Sequence, residues 1–285
     1  LLSAVMAGQA TGSKLLAANL GPVMYVIGIG AVLVSAIMLK KTKPFSGKPA
    51  PFVMELPAYH MPSAKTVLMH VWERLRGYLI KAGTILFLAC VVVWFLSSFG
   101  FENGAFGLVE DTSASLLAVV GSAIAVLFAP LGFGQWQPVA SSISGFTAKE
   151  AIVSTMGVLA NVSEDLVEDT GAVAAAVGTW FPCAAAGFSF LVFNLLCAPC
   201  FAAMGAIKRE MNNTRWFFIA IGYQCGLAYL VSLCIYQIGT WITTGAFGIG
   251  TAAALVIIAL FIWLLVRPYK QDGKLKVNLK GMAKA

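Results

Sequence analysis

Six uninterrupted apolar stretches, each long enough to cross a lipid bilayer, dominate this sequence: residues 21 to 39, 79 to 98, 115 to 133, 188 to 207, 216 to 239 and 247 to 266. The hydrocarbon slab is roughly 30 Å thick, and a helix of about 20 apolar residues spans it. In water the same stretches would need a polar covering that the chain lacks. It is 59% hydrophobic and 11% charged, against about 25% charged residues in soluble domains. The expected fold is therefore all-α, a polytopic bundle of transmembrane helices in which every backbone polar group is satisfied within its own segment. A net charge of +7 could suit nucleic acid, but the placement of the charges decides the matter, and no nucleic-acid partner is expected.

That placement follows the loops. All but Lys14 and Lys149 of the 19 Lys and Arg residues fall between Lys40 and Lys81, between Lys208 and Arg215, or after Val266. Loops 99 to 115 and 161 to 170 instead hold Glu102, Glu110, Asp111, Glu164, Asp165, Glu168 and Asp169, with no basic residue. Basic loops stay in the cytoplasm, so the acidic loops face outward, where they either focus cations or are simply solvated. Two further stretches are broken. Residues 136 to 160 contain Pro138, Gly145, Lys149 and Glu150, and residues 171 to 187 contain Gly178, Pro182 and Gly187. They read as a discontinuous crossing and a half-helix or re-entrant segment, because irregular backbone at membrane depth must lie against protein or a wet cavity. The loop charges alternate correctly if 136 to 160 crosses once and 171 to 207 crosses once. That gives about seven crossings with a cytoplasmic C-terminus.

Between the first two spans, Pro44, Pro49, Pro51, Pro57 and Pro62 open a cytoplasmic segment that then turns helical, with Val67, Val71, Leu75 and Tyr78 on one face. A basic amphipathic helix feeding a span is expected to lie in the interfacial plane. Leu1 opens the sequence with neither a start methionine nor a basic n-region, so a fragment of a longer chain is expected. Cys90, Cys183, Cys197, Cys200, Cys225 and Cys234 lie in or beside apolar runs, where reduced thiols are expected.

Lys149 and Glu150 carry the strongest signal of function. An ionisable residue in the membrane costs about 2.5 to 3.5 kcal/mol on insertion scales, and neighbours on a helix point about 100° apart. At least one of the two must therefore reach a cavity, a partner or the interface. Upstream, Ser141, Ser142, Ser144, Gly145 and Thr147 supply oxygens and flexible backbone of the kind that lines transporter sites. Alternatively, the hydroxyls bond their own i−4 carbonyls. Cys197 and Cys200 stand i, i+3 about Pro199, which on a helix would present two soft ligands on one face. Thiols suit Fe(II), Zn(II) or Cu(I) and not Mg(II) or Ca(II), though buried cysteines are also common as plain packing. Cys225, Tyr229, Ser232 and Tyr236 form a polar stripe that serves either as helix glue or as a pathway wall. The sequence has no GxxxxGK[ST], HExxH or GxSxG motif, so phosphate-cradling and hydrolytic chemistry have no visible seat in it.

Three stretches carry a family resemblance. The first is Pro51-Phe52-Val53-Met54-Glu55-Leu56-Pro57-Ala58-Tyr59-His60, leading through Trp72-Glu73-Arg74 to Lys81-Ala82-Gly83-Thr84. The second is Trp136-Gln137 with Gly145-Phe146-Thr147-Ala148-Lys149-Glu150 and Val153-Ser154-Thr155. The third is Pro199-Cys200 with Gly205 to Glu210, Leu227-Ala228-Tyr229 and Tyr236-Gln237. Together they resemble the C-terminal membrane portion of the FeoB-type ferrous iron transport protein B. Cys183 and Cys197 look like additions to that pattern, and Gln135 stands where an acidic residue commonly precedes the Trp.

The resemblance implies Fe(II) uptake across a bacterial inner membrane. It matches Cys200 and the Lys149-Glu150 pair as pathway residues; joined to the residue readings above, the expected pathway includes Cys200, Cys197, Glu150, Lys149, Ser144, Thr147, Ser141, Tyr229 and Cys225, with Cys200, Cys197 and Glu150 as metal ligands. GTP and Mg(II) would bind a G domain outside this chain, in cis or separate. Small FeoA- or FeoC-like proteins, membrane lipids and further copies of the chain would be its partners. Residues 1 to 40 would end a first gate region, 41 to 78 form the proline-rich segment and amphipathic helix, and 79 to 210 form a second gate region. Two C-terminal spans would occupy 211 to 266, and a basic tail 267 to 285. The competing readings are a gate-domain transporter of a nucleoside or Mn(II), and a scaffold subunit that transports nothing.

Overall fold

The computed structural model describes residues 14–42, 63–102, 105–109, 112–149, 151–160, 176–245 and 247–268. It is a helical bundle, in the order α1 (Lys14–Lys40), α2 (Ala64–Ser98), a hairpin of β1 (Phe99–Glu102) and β2 (Ala105–Leu108), α3 (Leu116–Phe128), α4 (Trp136–Ser144), α5 (Ala151–Leu159), α6 (Ala184–Leu196), α7 (Phe201–Met211), α8 (Thr214–Thr244) and α9 (Ile249–Val266). Among the described residues, Leu20–Lys40, Thr214–Thr244 and Ile249–Val266 are long and apolar enough to span alone. Two bent pairs raise the number to as many as 5. The seven crossings expected from the loop charges stand as an expectation.

Packing rests on small residues, as it must where lipid removes the hydrophobic drive between helices. α6 lies along α8 with Ala186, Ser189, Ala228 and Ser232 fully buried, and the Ser189 hydroxyl donates to the Ser232 carbonyl at 2.9 Å. Gly239 permits this approach, since a Cβ there would stand 2.6 Å from the Ala185 Cβ. Phe133, Phe190 and Phe193 fill the centre, with the Phe133 and Phe190 rings edge to face at 5.2 Å. α1 joins the bundle through Ser35 Oγ and Tyr223 OH, 2.6 Å apart, and the Lys41 ammonium donates to the Leu265 carbonyl near the end of α9. Arg267 sits over the Trp263 ring at 5.5 Å. The basic ends of α1 and α9 therefore share one side of the bundle.

Three features differ from the sequence expectations. The amphipathic stretch is not a helix separate from the apolar one that follows it. It is the first half of α2, one uninterrupted helix of 35 residues, about 52 Å long at 1.5 Å per residue and longer than the bilayer core is thick. No proline interrupts it, and Val67, Val71 and Leu75 of the expected face remain exposed. The loop from 99 to 115 contains a hairpin, in which β1 and β2 pair antiparallel with Glu102 opposite Ala105. Asn103 and Gly104 stand between them in the sequence, a dipeptide that favours tight hairpins. Finally, the stretch from 188 to 207 is not one continuous span, because it breaks between α6 and α7 with a 40° bend. The acidic loop residues Glu164, Asp165, Glu168 and Asp169, together with the proline-rich segment, lie outside the described residues.

α3 turns into α4 through 104°, and Gly132 makes the corner. Its φ of +89° lies in the left-handed region, and a Cβ there would stand 2.3 Å from Tyr236 Cε2. Gly132→Ala should cost about 2 kcal/mol or more, from backbone strain plus overpacking. A fall in the melting temperature of the detergent-solubilised protein would report it.

Candidate functional site

Two helix breaks meet in the bundle, and each satisfies what the other leaves open. Beyond Ser144 the chain tightens into turns, with Phe146 N donating to Ile143 O and Thr147 N to Ser144 O, before α5 begins at Ala151. The second break is set by Pro199, which has no N–H to donate and biases the residue before it away from helical geometry. Cys197 and Cys200, at its edges, are both extended, with φ/ψ of −62°/165° and −60°/160°. Helix ends leave backbone groups without partners. Here the Phe201 N–H of α7 donates to the Phe146 carbonyl at 2.9 Å. The Lys149 ammonium reaches the Asn194 carbonyl at 2.5 Å and the Cys197 carbonyl at 3.4 Å. A cation at the C-terminal end of α6 is also favoured by the helix dipole.

Sulfur gathers beside that ammonium. Cys197 is buried, and its Sγ lies 3.8 Å from Cys225 Sγ on α8. Cys200 is half-buried, and the thiols of Cys197, Cys200 and Cys225 all lie within electrostatic reach of Lys149. The expected shared face of Cys197 and Cys200 does not form, because the segment between them is extended and not helical; Cys197 pairs with Cys225 instead. Among the described residues, no three His, Cys, Asp or Glu side chains converge to hold a metal ion. Glu150, the third expected ligand, lies outside the described residues.

The hydroxyls divide between the two readings. Ser141 bonds back to the Gln137 carbonyl at 2.8 Å, and Ser144 bonds the Ser141 carbonyl at 2.7 Å and Thr155 Oγ1 at 2.8 Å. These two are internal struts. Ser142 Oγ and Thr147 Oγ1 are buried without a hydrogen-bond partner, which is costly unless something visits them. Ser142, Gly145, Lys149, Asn194 and Cys197 line a recess of about 10 Å³, room for one water molecule. Asn194 escaped the sequence reading; a lone amide in an apolar run was its only signal. The stripe on α8 faces protein throughout. Cys225 meets Cys197, the Tyr229 hydroxyl donates to the Leu127 carbonyl at 2.9 Å, and Ser232 is buried.

Known proteins supply the context. Residues 22–74 match the family model described as the C terminus of ferrous iron transport protein B, and residues 79–214 match the Gate model, described as nucleoside recognition. A protein from Staphylococcus aureus (strain COL) named Fe(2+) transporter FeoB is 36% identical over 217 residues, covering 76% of this chain and 31% of the relative. One of the same name from Methanocaldococcus jannaschii is 33% identical over 225 residues, with the same coverage of 76% and 31%. A third, from Salmonella paratyphi A, is 28% identical over 291 residues and covers 86% of this chain and 37% of the relative. The chain thus spans about a third of the length of these curated relatives. No solved structure matches it.

Proposed function

We propose that this chain, which carries the C-terminal and gate regions of the FeoB-type ferrous iron transport protein B, forms the membrane path for Fe(II) uptake across the bacterial cytoplasmic membrane, with its C-terminus inside. The observation that carries this reading is the meeting of two helix breaks around the Cys197 and Cys225 thiols, with Cys200, Lys149 and the unpartnered Ser142 and Thr147 hydroxyls beside them. Thiol and oxygen ligands together suit a borderline ion such as Fe(II), and weak, divided ligation lets the ion leave again. The metal would be held by Cys200, Cys197 and Glu150, with Ser141, Ser144, Tyr229 and Cys225 shaping the wall. Because the recess holds about one water, Fe(II) must shed most of its hydration shell or the two breaks must part.

GTP and Mg(II) would act through a G domain, either in the further length that the relatives possess or on a separate chain. A relative from Porphyromonas gingivalis is named as a fusion of Fe(2+) transport protein A with FeoB, which supports a small FeoA-like partner at the cytoplasmic face. Assembly into a homo-oligomer completes the proposal.

In the full-length transporter, Cys200→Ser and Glu150→Ala should each lower Fe(II) uptake by roughly tenfold, the scale on which metal sites respond to lost ligands or their supports. Membrane insertion should be unchanged. The check is ⁵⁵Fe(II) uptake by cells that lack other iron importers. Wild-type uptake from both variants would sink the assignment, and nucleoside accumulation in its place would favour the other reading of the gate match.

A further inference from the structure

The Lys149 side chain occupies a place suited to a partly dehydrated cation. Its ammonium rests on two carbonyls at the end of α6, those of Asn194 and Cys197. Beside it are the Cys197 thiol, 3.8 Å from that of Cys225, and the buried, unpartnered hydroxyl of Ser142. Backbone carbonyls are what ion pathways use to replace a hydration shell. With the lysine in place, the space left in the recess is about 10 Å³, room for about one water, so a cation that keeps its hydration shell cannot share the recess with the ammonium. Two cations in one such site would also repel each other strongly, because low-dielectric surroundings screen them little.

We propose that Lys149 is a tethered cation that plugs this site, and that an entering divalent ion must displace the ammonium from the Asn194 and Cys197 carbonyls to pass. The plug links the ion to the backbone. When the ammonium leaves, the end of α6 loses its stabilising positive charge, and α6 and α7 are held to the α4–α5 break through the Phe201 N–H and the Phe146 carbonyl alone of the two links described above. Ion arrival and loosening of the breaks are then one event. Selectivity follows as well, because a monovalent ion carries no more charge than the lysine it must evict.

This inference rests on the transport reading, and its test separates the two. Full-length protein in liposomes is assayed for Fe(II) and Mn(II) entry without nucleotide, wild type beside Lys149→Met. The plug predicts that basal divalent entry rises by about fivefold or more in the variant, the low end of usual coupling between sites. A lysine that merely caps α6 predicts the opposite, so unchanged or reduced entry in a variant that melts at the wild-type temperature overturns the plug. Should Lys149→Met fail to fold, the wild-type protein answers by itself. Saturating Mn(II) should free the amine, raising reductive methylation of Lys149 as read by mass spectrometry, and unchanged methylation overturns the proposal. A wild-type protein that passes no Fe(II) under any condition would instead refute the transport reading.

Discussion

Oxidising the protein in membranes with copper phenanthroline should join Cys197 to Cys225 and reduce Fe(II) uptake to background, and dithiothreitol should restore it. The thiols lie 3.8 Å apart across the α6–α8 contact, and a disulfide would close that gap to about 2 Å. Two thiols give up two electrons to two Cu(II) centres, which become Cu(I), and two protons to the buffer, and the bond locks the end of α6 to α8. Locking matters because the recess has room for only about one water, and a hydrated ion passes only if the breaks part. It also consumes the Cys197 sulfur as a ligand. The Cys197→Ser protein, slower at the outset for want of a ligand, should be indifferent to the oxidant. Mass spectrometry identifies the cross-link and ⁵⁵Fe(II) uptake reads the consequence. A formed cross-link with undiminished uptake would show that α6 and α8 need not separate.

The second large effect is expected from Pro199→Ala. Proline supplies no N–H and disfavours helical geometry in Ala198, which is what holds Cys197 and Cys200 extended. Alanine removes both constraints and is the best helix former, and the flanking residues from Ala184 to Met211 are already helical on either side. The break should then heal toward one continuous span. That would withdraw the Cys197 carbonyl from Lys149 and swing Cys200 about the helix axis. Uptake should fall by roughly tenfold or more, as for a displaced metal ligand, while melting temperature stays level or rises. Loss of uptake with a better-formed helix separates this outcome from unfolding, and circular dichroism together with transport provides both readings.

The membrane character and the first break were legible in the sequence because each rests on local chemistry. Pro138, Gly145 and the charged pair at 149 and 150 contradict a plain span wherever they occur. The second break was harder. Hydropathy runs evenly from 188 to 207, so Pro199 signified a loosened turn and not the start of a new helix. A continuous helix there would set Cys197 and Cys200 on one face, a geometry that extended backbone does not offer. The partner that Cys197 does have lies 28 residues away on α8, a contact set by how small residues let α6 and α8 approach. No pattern within either helix encodes it. Lys149 could be identified as needing a partner, but its acceptors are backbone carbonyls, which every residue has, so nothing in residue type could point to Asn194 and Cys197. Asn103-Gly104 is the sequence signal for the hairpin after α2, a weak one because its flanking strands are four residues each. Ser141 and Ser144 proved to be struts, whereas Ser142 and Thr147 keep their oxygens free. That division depends on which way each hydroxyl faces in α4 and the turn after it.

Iron bound in the transporter is expected to meet sulfur where the two breaks join. Iron K-edge X-ray absorption on the full-length transporter, loaded with Fe(II) without oxygen, tests it most directly. A sulfur shell around iron in the wild type, weakened in Cys197→Ser and again in Cys197→Ser/Cys200→Ser, is the predicted spectrum. An iron coordinated by oxygen and nitrogen alone, and indifferent to both substitutions, would contradict it.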